Sequence, residues 1–239
     1  MKYIPNFITS LNLASGFTAI IFAATGQVEF ASWMILAAMV FDFLDGFSAR
    51  MLKAYSDIGR ELDSLADIVS FGVAPAIIIF TLLRSSFSPG IPGNINSDSL
   101  NTVLIIIVTA IMPVCAALRL AIFNLDETQA KSFKGLPTPA NALAVISIVI
   151  AARHSASAIV ISFAGSVVLL VIFTVLLSLL MVSRIPLLSL KMSDLKWKGN
   201  EGRFIMAGLI VIAFATSGIA AAPLIIPIYI ISSFISLLF

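Results

Sequence analysis

Four aspartates, Asp42, Asp45, Asp63 and Asp67, stand in the stretch DFLDGFSARMLKAYSDIGRELDSLAD, residues 42–67 of an otherwise oily chain. Asp42 and Asp45 are three apart at the end of an apolar run, which puts both carboxylates on one helical face. Gly59, Asp63 and Asp67 follow at four-residue steps along the next helix. If the two helices pack side by side, four carboxylates converge. Away from water they repel one another and need cations or protons to coexist. Neither histidine nor thiol stands nearby, so the all-oxygen donor set suits a hard divalent ion, Mg2+ or Mn2+. Two ions per site fit the pattern, because shared carboxylates bridge metal pairs in phosphate chemistry. Arg50 adds a phosphate contact one turn past Gly46. Gly46 and Ala49 keep that turn low, so another group can approach. An aspartate outside the metal's inner sphere can serve as a base. Asp57 and Glu61 are expected to pair with basic neighbours instead.

Two adjoining helices must carry these residues. The segment KAYSD reads as the turn between them, with Ser56 or Asp57 capping the second. The 239-residue chain is 60% hydrophobic and 11% charged, against about 25% charge in a soluble domain. Apolar runs of spanning length recur, so the reading is an all-α, polytopic helical membrane protein, residues 1–239 forming one integral-membrane domain. The runs are continuous rather than alternating, which favours helices over a barrel. Eight spans are expected, at 8–24, 28–49, 64–84, 101–122, 138–152, 157–183, 204–218 and 220–238. Only Lys2 is basic ahead of the first run and further spans follow at once, so that run is read as a span, not a cleaved signal.

Of the 14 lysines and arginines, this span count puts all but Arg84 and Arg153 on the side of the termini. The positive-inside rule then makes the termini and the aspartate stretch cytoplasmic, in a cell membrane. The Ser-, Pro- and Gly-rich segment 85–99 is the composition of an external connection. The basic segment 184–203 reads as a solvated cytoplasmic loop, with contact to anionic headgroups as the alternative. Cys115, the single cysteine, excludes an internal disulfide and reads as a small buried hydrophobe. His154, the single histidine, reads as an interfacial loop residue without an evident partner. A net charge of +2 and the lack of an aromatic–basic surface pattern argue against nucleic acid.

The aspartate stretch resembles the CDP-alcohol phosphotransferase family. The family pattern reads here as Asp42, Asp45, Gly46, Ala49, Arg50, Gly59, Asp63 and Asp67, without departure. The resemblance implies displacement of CMP from a CDP-linked lipid by an alcohol. It implies that Asp42, Asp45 and Asp63 hold divalent metal, and that Asp67 completes the site and acts as base. Gly46, Ala49, Arg50 and Gly59 would receive the CDP moiety. Three further stretches resemble the phosphatidylserine synthase branch: IPNFITSLNLASG, with Pro5, Asn6, Thr9, Asn12 and Gly16; ALRLAIFN, with Arg119 and Asn124; and FKGLPTPANA, with Phe133, Gly135, Leu136, Pro137, Pro139 and Asn141. The second has Ile122 where the branch usually has an arginine. The branch implies L-serine as acceptor, and a homodimer.

Arg119, Asn124, Lys131, Lys134, Gly135, Pro137 and Arg184 are the candidate acceptor or phosphate contacts. The lipid tails must stay among bilayer lipids while the headgroup reaches the aspartates, which requires a groove open sideways. Ester-linked and ether-linked lipids present the same diphosphate. Competing readings are the same chemistry with glycerol 3-phosphate or an inositol phosphate, a transporter or channel, and a structural membrane protein that keeps only a metal site.

Overall fold

The computed structural model describes residues 3–87, 100–125, 133–188 and 200–236. It is helical almost throughout. The helices are α1 (Tyr3–Ala24), α2 (Val28–Met51), α3 (Asp57–Asp67), α4 (Ala74–Phe87), α5 (Leu100–Leu125), α6 (Thr138–His154), α7 (Ala158–Gly165), α8 (Val167–Val182), α9 (Glu201–Ser217) and α10 (Ile225–Ser236). A π-helix, Ile68–Val73, joins α3 to α4, and a 3-10 segment, Gly218–Leu224, joins α9 to α10.

The first two helices form a tight antiparallel pair. Gly26, at φ 85°, takes the left-handed position that closes α1, and the Gln27 N–H reaches back to the Phe22 carbonyl at 2.8 Å. That six-to-one bond is the Schellman ending, which favours glycine. Ala19, Ala23, Ala31 and Ala38 are completely buried in this layer. Small residues let apolar helices approach where no hydrophobic driving force separates lipid from protein. Deeper in the molecule, α6 is buried on most sides from Ala142 to Ala151, as expected of a helix apolar all round. Its far end is held by Glu29 of α2, which accepts from Arg153 Nε at 3.1 Å and meets His154 Nε2 at 2.9 Å. His154 is thus a helix-end residue with a carboxylate partner rather than an unpartnered loop residue. Cys115 is buried, as expected.

Five helical stretches are long and apolar enough to cross a membrane: Tyr3–Ala24, Val28–Met51, Asp57–Ser86, Leu100–Leu125 and Glu201–Ser236. The pair α7–α8 makes a sixth if counted as one span. The expectation of eight also counted α6 and divided the last stretch. With 17 residues, α6 is about 26 Å long at 1.5 Å per residue, short of a full hydrocarbon core. The last stretch folds back on itself. Gly218, at φ 55°, ends α9, and a Cβ at Gly202 would lie 2.6 Å from Ser236 Cβ, so α9 and α10 run antiparallel.

The expected span 157–183 is broken. The axes of α7 and α8 meet at 81°. Ser166 is extended (φ −91°, ψ 114°) and its hydroxyl accepts from the Leu169 N–H, starting a new helix inside the apolar run. The third span begins earlier than expected, at Asp57. Ser85–Phe87 of the expected external connection belong to α4; residues 88–99 lie outside the described residues, as do Lys131 and residues 189–199 of the basic segment. Two short strands, β1 (Phe133–Lys134) and β2 (Pro186–Leu187), pair antiparallel and were not foreseen.

Candidate active site

The aspartates sit where α2 ends and α3 begins. The Ala54 N–H reaches the Ala49 carbonyl at 3.0 Å while Lys53 adopts φ 49°, so α2 ends in a second Schellman turn with lysine in the usual glycine position. Ser56 then caps α3 by accepting from the Gly59 N–H at 3.0 Å. This tight connection returns the chain beside itself. Carboxylate oxygens of Asp42, Asp63 and Asp67 lie within 4.8 Å of one another. Asp67 and Asp45 are buried, Asp42 and Asp63 half-buried. Asp45 stands outside the group of three and faces an adjoining cavity of about 650 Å³.

Among the described residues no ion pair reaches these four carboxylates; Glu61 pairs with Arg60 at 3.7 Å on the surface. Asp45 Oδ2 and Asp63 Oδ1 are buried without hydrogen-bond partners. Unsatisfied buried acceptors are costly, and like charges this close repel strongly at low dielectric. An all-carboxylate cluster with open lone pairs and no ion pair among the described residues fits a hard divalent cation.

The cavity is lined by Gly46, Ala49, Arg50 and Gly59 together with Asp45 and Asp63, so the residues expected to receive the CDP moiety surround one space. The two glycines differ. At Gly46 an added Cβ meets nothing within 4 Å and enters the cavity. At Gly59 it would lie 2.9 Å from Asn6 Oδ1 of α1.

Helix α1 contributes more than the sequence reading assigned to it. Pro5, Asn6 and Thr9 line the cavity. Asn12, fully buried, donates from Nδ2 to Asp67 Oδ1 at 3.4 Å. Pro5, Asn6, Thr9 and Asn12 all stand in the IPNFITSLNLASG stretch, but nothing in the linear sequence ties them to the aspartates. The π-helix after Asp67 is clasped by the same kind of residue. Ser70 Oγ donates to the Asn12 carbonyl at 3.1 Å, and Asn141 Nδ2 donates to the Phe71 carbonyl at 3.0 Å. Gly16 admits Ser70, whose Oγ lies 2.2 Å from where a Cβ would stand. A π-turn shifts the helical hydrogen-bond register, and here a backbone carbonyl of α1 and a side chain of α6 meet its polar groups.

A second cavity, about 370 Å³, gathers Arg119, Lys134 and Arg184 beside Ile122 and the end of α8. Arg119 is buried, lies 5.9 Å above the Phe123 ring centroid, and has an unpartnered Nε. It is also within electrostatic reach of Asp67, which puts this basic pocket next to the carboxylate centre. Gly135 shapes its wall: φ is +76°, and a Cβ would lie 2.5 Å from the Met181 carbonyl oxygen. Its N–H donates to the Ile185 carbonyl at 2.9 Å. Pro137 sets the start of α6. Asn124 does not reach the pocket; its Nδ2 donates to Ser64 Oγ of α3 at 2.9 Å. Ile122 gives the pocket an apolar side where the branch usually has an arginine.

The family model for CDP-alcohol phosphatidyltransferases matches residues 2–183. The chain belongs to that family. Within it, the chain is 34% identical over 185 residues to the CDP-diacylglycerol–serine O-phosphatidyltransferase of Bacillus subtilis, covering 77% of this chain and 89% of that one. It is 35% identical over 198 residues to the protein of that name from Mycobacterium leprae, covering 78% of this chain and 58% of the relative. The Saccharomyces cerevisiae protein of that name is 35% identical over 167 residues, covering 63% and 55%. The chain thus spans just over half of the mycobacterial and yeast relatives. In this chain α9 and α10 lie beyond the matched segment.

Proposed function

We propose that the protein transfers the phosphatidyl group, or its ether-lipid equivalent, from a CDP-linked lipid to L-serine, releasing CMP. The observation that carries this reading is the Asp42, Asp63 and Asp67 cluster, within 4.8 Å, opening on a cavity lined by the glycines and Arg50 of the family pattern. The serine hydroxyl attacks the lipid-side phosphorus, a new P–O bond forms, the bond to CMP breaks, and the hydroxyl proton passes to Asp67. Asp42, Asp45, Asp63 and Asp67 would hold Mg2+ or Mn2+, one ion or two, which when bound neutralises charge on the diphosphate. Asn12 orients Asp67, and burial of that pair keeps bulk water from competing for the base. Gly46 and Ala49 leave room for the nucleotide, and Arg50 meets its phosphates. Direct displacement is the simpler scheme, since no Ser, Cys or His stands in the motif as a covalent nucleophile.

Of the two roles expected for Arg119, Lys134 and Arg184, contact with the acceptor or with the lipid phosphate, the first is assigned here: the three cations of the pocket meet the acceptor's carboxylate, with Lys131 and Pro137 as neighbours in sequence. Serine is supported by the FKGLPTPANA stretch and by the names of the relatives. The three cations also suit a phosphorylated acceptor, which keeps glycerol 3-phosphate and an inositol phosphate as the second reading. The arrangement in the bilayer belongs to the same proposal: eight crossings, with termini and site cytoplasmic, and a homodimer.

The test is CMP release by purified protein in detergent with CDP-diacylglycerol and Mg2+ or Mn2+. Serine-dependent CMP matched by a serine-bearing lipid is the expected result. Release only with glycerol 3-phosphate or an inositol phosphate would overturn the acceptor and keep the site. Silence with all acceptors, on ester- and ether-linked lipid alike, would favour a transport or structural role.

A further inference from the structure

The basic pocket has a fragile wall. Lys134 ends β1 and Arg184 lies two residues before β2, in a strand pair only two residues long on each side, and isolated pairs of strands are marginal in water. Something must hold β2 from behind. Leu188, the residue after β2, gives its carbonyl to the Tyr229 hydroxyl at 3.1 Å and its N–H to Ser233 Oγ at 3.0 Å. Tyr229 and Ser233 are four apart on α10 and share a face. Both are buried. Ser233 in turn donates to the Tyr229 carbonyl at 2.7 Å, so its hydroxyl both donates and accepts. The Leu188 side chain also rests near Gly202 of α9, 3.4 Å from where a Cβ would stand. Tyr229 lies within electrostatic reach of Arg119 as well. Thus α9 and α10, which the family match leaves out, meet the pocket's wall from behind at Leu188.

We infer that the C-terminal helical hairpin is the rear support of the basic pocket, and that Tyr229 and Ser233 are positioning residues for the acceptor substrate. Neither lines either cavity; they act through Leu188, the residue after β2, and so on the placement of Arg184 and Lys134. The inference rests on reading this pocket as the acceptor site. It does not depend on which acceptor is used.

The experiment compares the full chain with Tyr229→Phe, Ser233→Ala and the double variant. Each single change removes one hydrogen bond to Leu188, so the acceptor KM should rise about threefold to tenfold, the effect of one such bond. The double variant should rise further. kcat and the CDP-lipid KM should hold. Amide hydrogen exchange at Leu188, Gly135 and Leu136 should quicken in the double variant, while amides of α3 keep their protection. Unchanged exchange, or equal movement of both KM values, would overturn the inference. If the wild type uses another acceptor than serine, the serine reading fails and the hairpin is judged on that acceptor's KM. If it turns over none, exchange at Leu188 and anion protection of the pocket, probed with inorganic phosphate, decide: phosphate slowing Gly135 exchange in the wild type and not in the double variant supports the support role, and no difference sinks it.

Discussion

The carboxylate centre takes Asp42, Asp63 and Asp67 from two helices that follow one another, joined by a tight turn. The basic pocket takes Arg119 from α5, Lys134 from β1 and Arg184 from the exit of α8, three segments far apart in sequence. In the first, local geometry does most of the positioning: helical spacing aligns the acids, and the Schellman turn and Ser56 cap return the chain. In the second, positioning is tertiary. Gly135 must take a left-handed backbone against the α8 carbonyls, β1 must find β2, and α10 must hold Leu188. A site written locally tolerates change in the surrounding scaffold, whereas a site assembled from distant pieces depends on all of them.

The largest expected effect lies in the first region. Asp67→Asn should lower turnover by on the order of 10³-fold, within the range for loss of a general base, while retaining much of the CDP-lipid binding; normal turnover would remove Asp67 from the base role. Asp42→Asn and Asp63→Asn should weaken Mn2+ binding measured by electron paramagnetic resonance, and chelation should abolish CMP release until Mn2+ is restored.

The second region should answer through its backbone. Gly135→Ala meets both a positive φ and a carbonyl oxygen 2.5 Å away, and should cost about 1–3 kcal/mol, read as a lowered melting temperature together with weaker acceptor binding. Retention of both would show that the wall is not needed.

The glycine pair sharpens the comparison inside the first region. Gly46→Ala adds a methyl to open cavity space and gains up to about 1 kcal/mol of helix propensity, so the melting temperature should hold or rise while the CDP-lipid KM increases. Gly59→Ala presses on Asn6 and should lower the melting temperature as well. Smallest of all is Glu61→Gln. It breaks an exposed pair with Arg60 that is worth less than about 1 kcal/mol, and neither stability nor kinetics should move measurably.

What was legible follows the same division. The convergence of Asp42, Asp63 and Asp67 was legible because their spacing is a pattern of helical turns, whereas the place of Asp45 outside the group of three was not. The contact from Asn12 to Asp67 was not legible, since it joins residues remote in sequence. The π-helix was hidden for a related reason: its extra residue is stabilised by Asn141 and by the Asn12 carbonyl, not by its own sequence. Two-residue strands carry no periodicity, so β1 and β2 left no trace. The bend at Ser166 was masked by the apolar residues on both sides. The last stretch, Glu201–Ser236, read as two spans because Gly218 and Pro223 interrupt it, and the packing of Gly202 on Ser236 gives that interruption its fold-back.

The most direct test of the account is two-substrate kinetics on Gly46→Ala and Arg184→Ala beside the wild type, varying CDP-lipid and serine independently. The division of labour predicts crossed effects: Gly46→Ala raises the CDP-lipid KM alone, and Arg184→Ala raises the serine KM alone. If both variants move the same KM, the two cavities serve one substrate and the assignment of nucleotide to one and acceptor to the other is wrong.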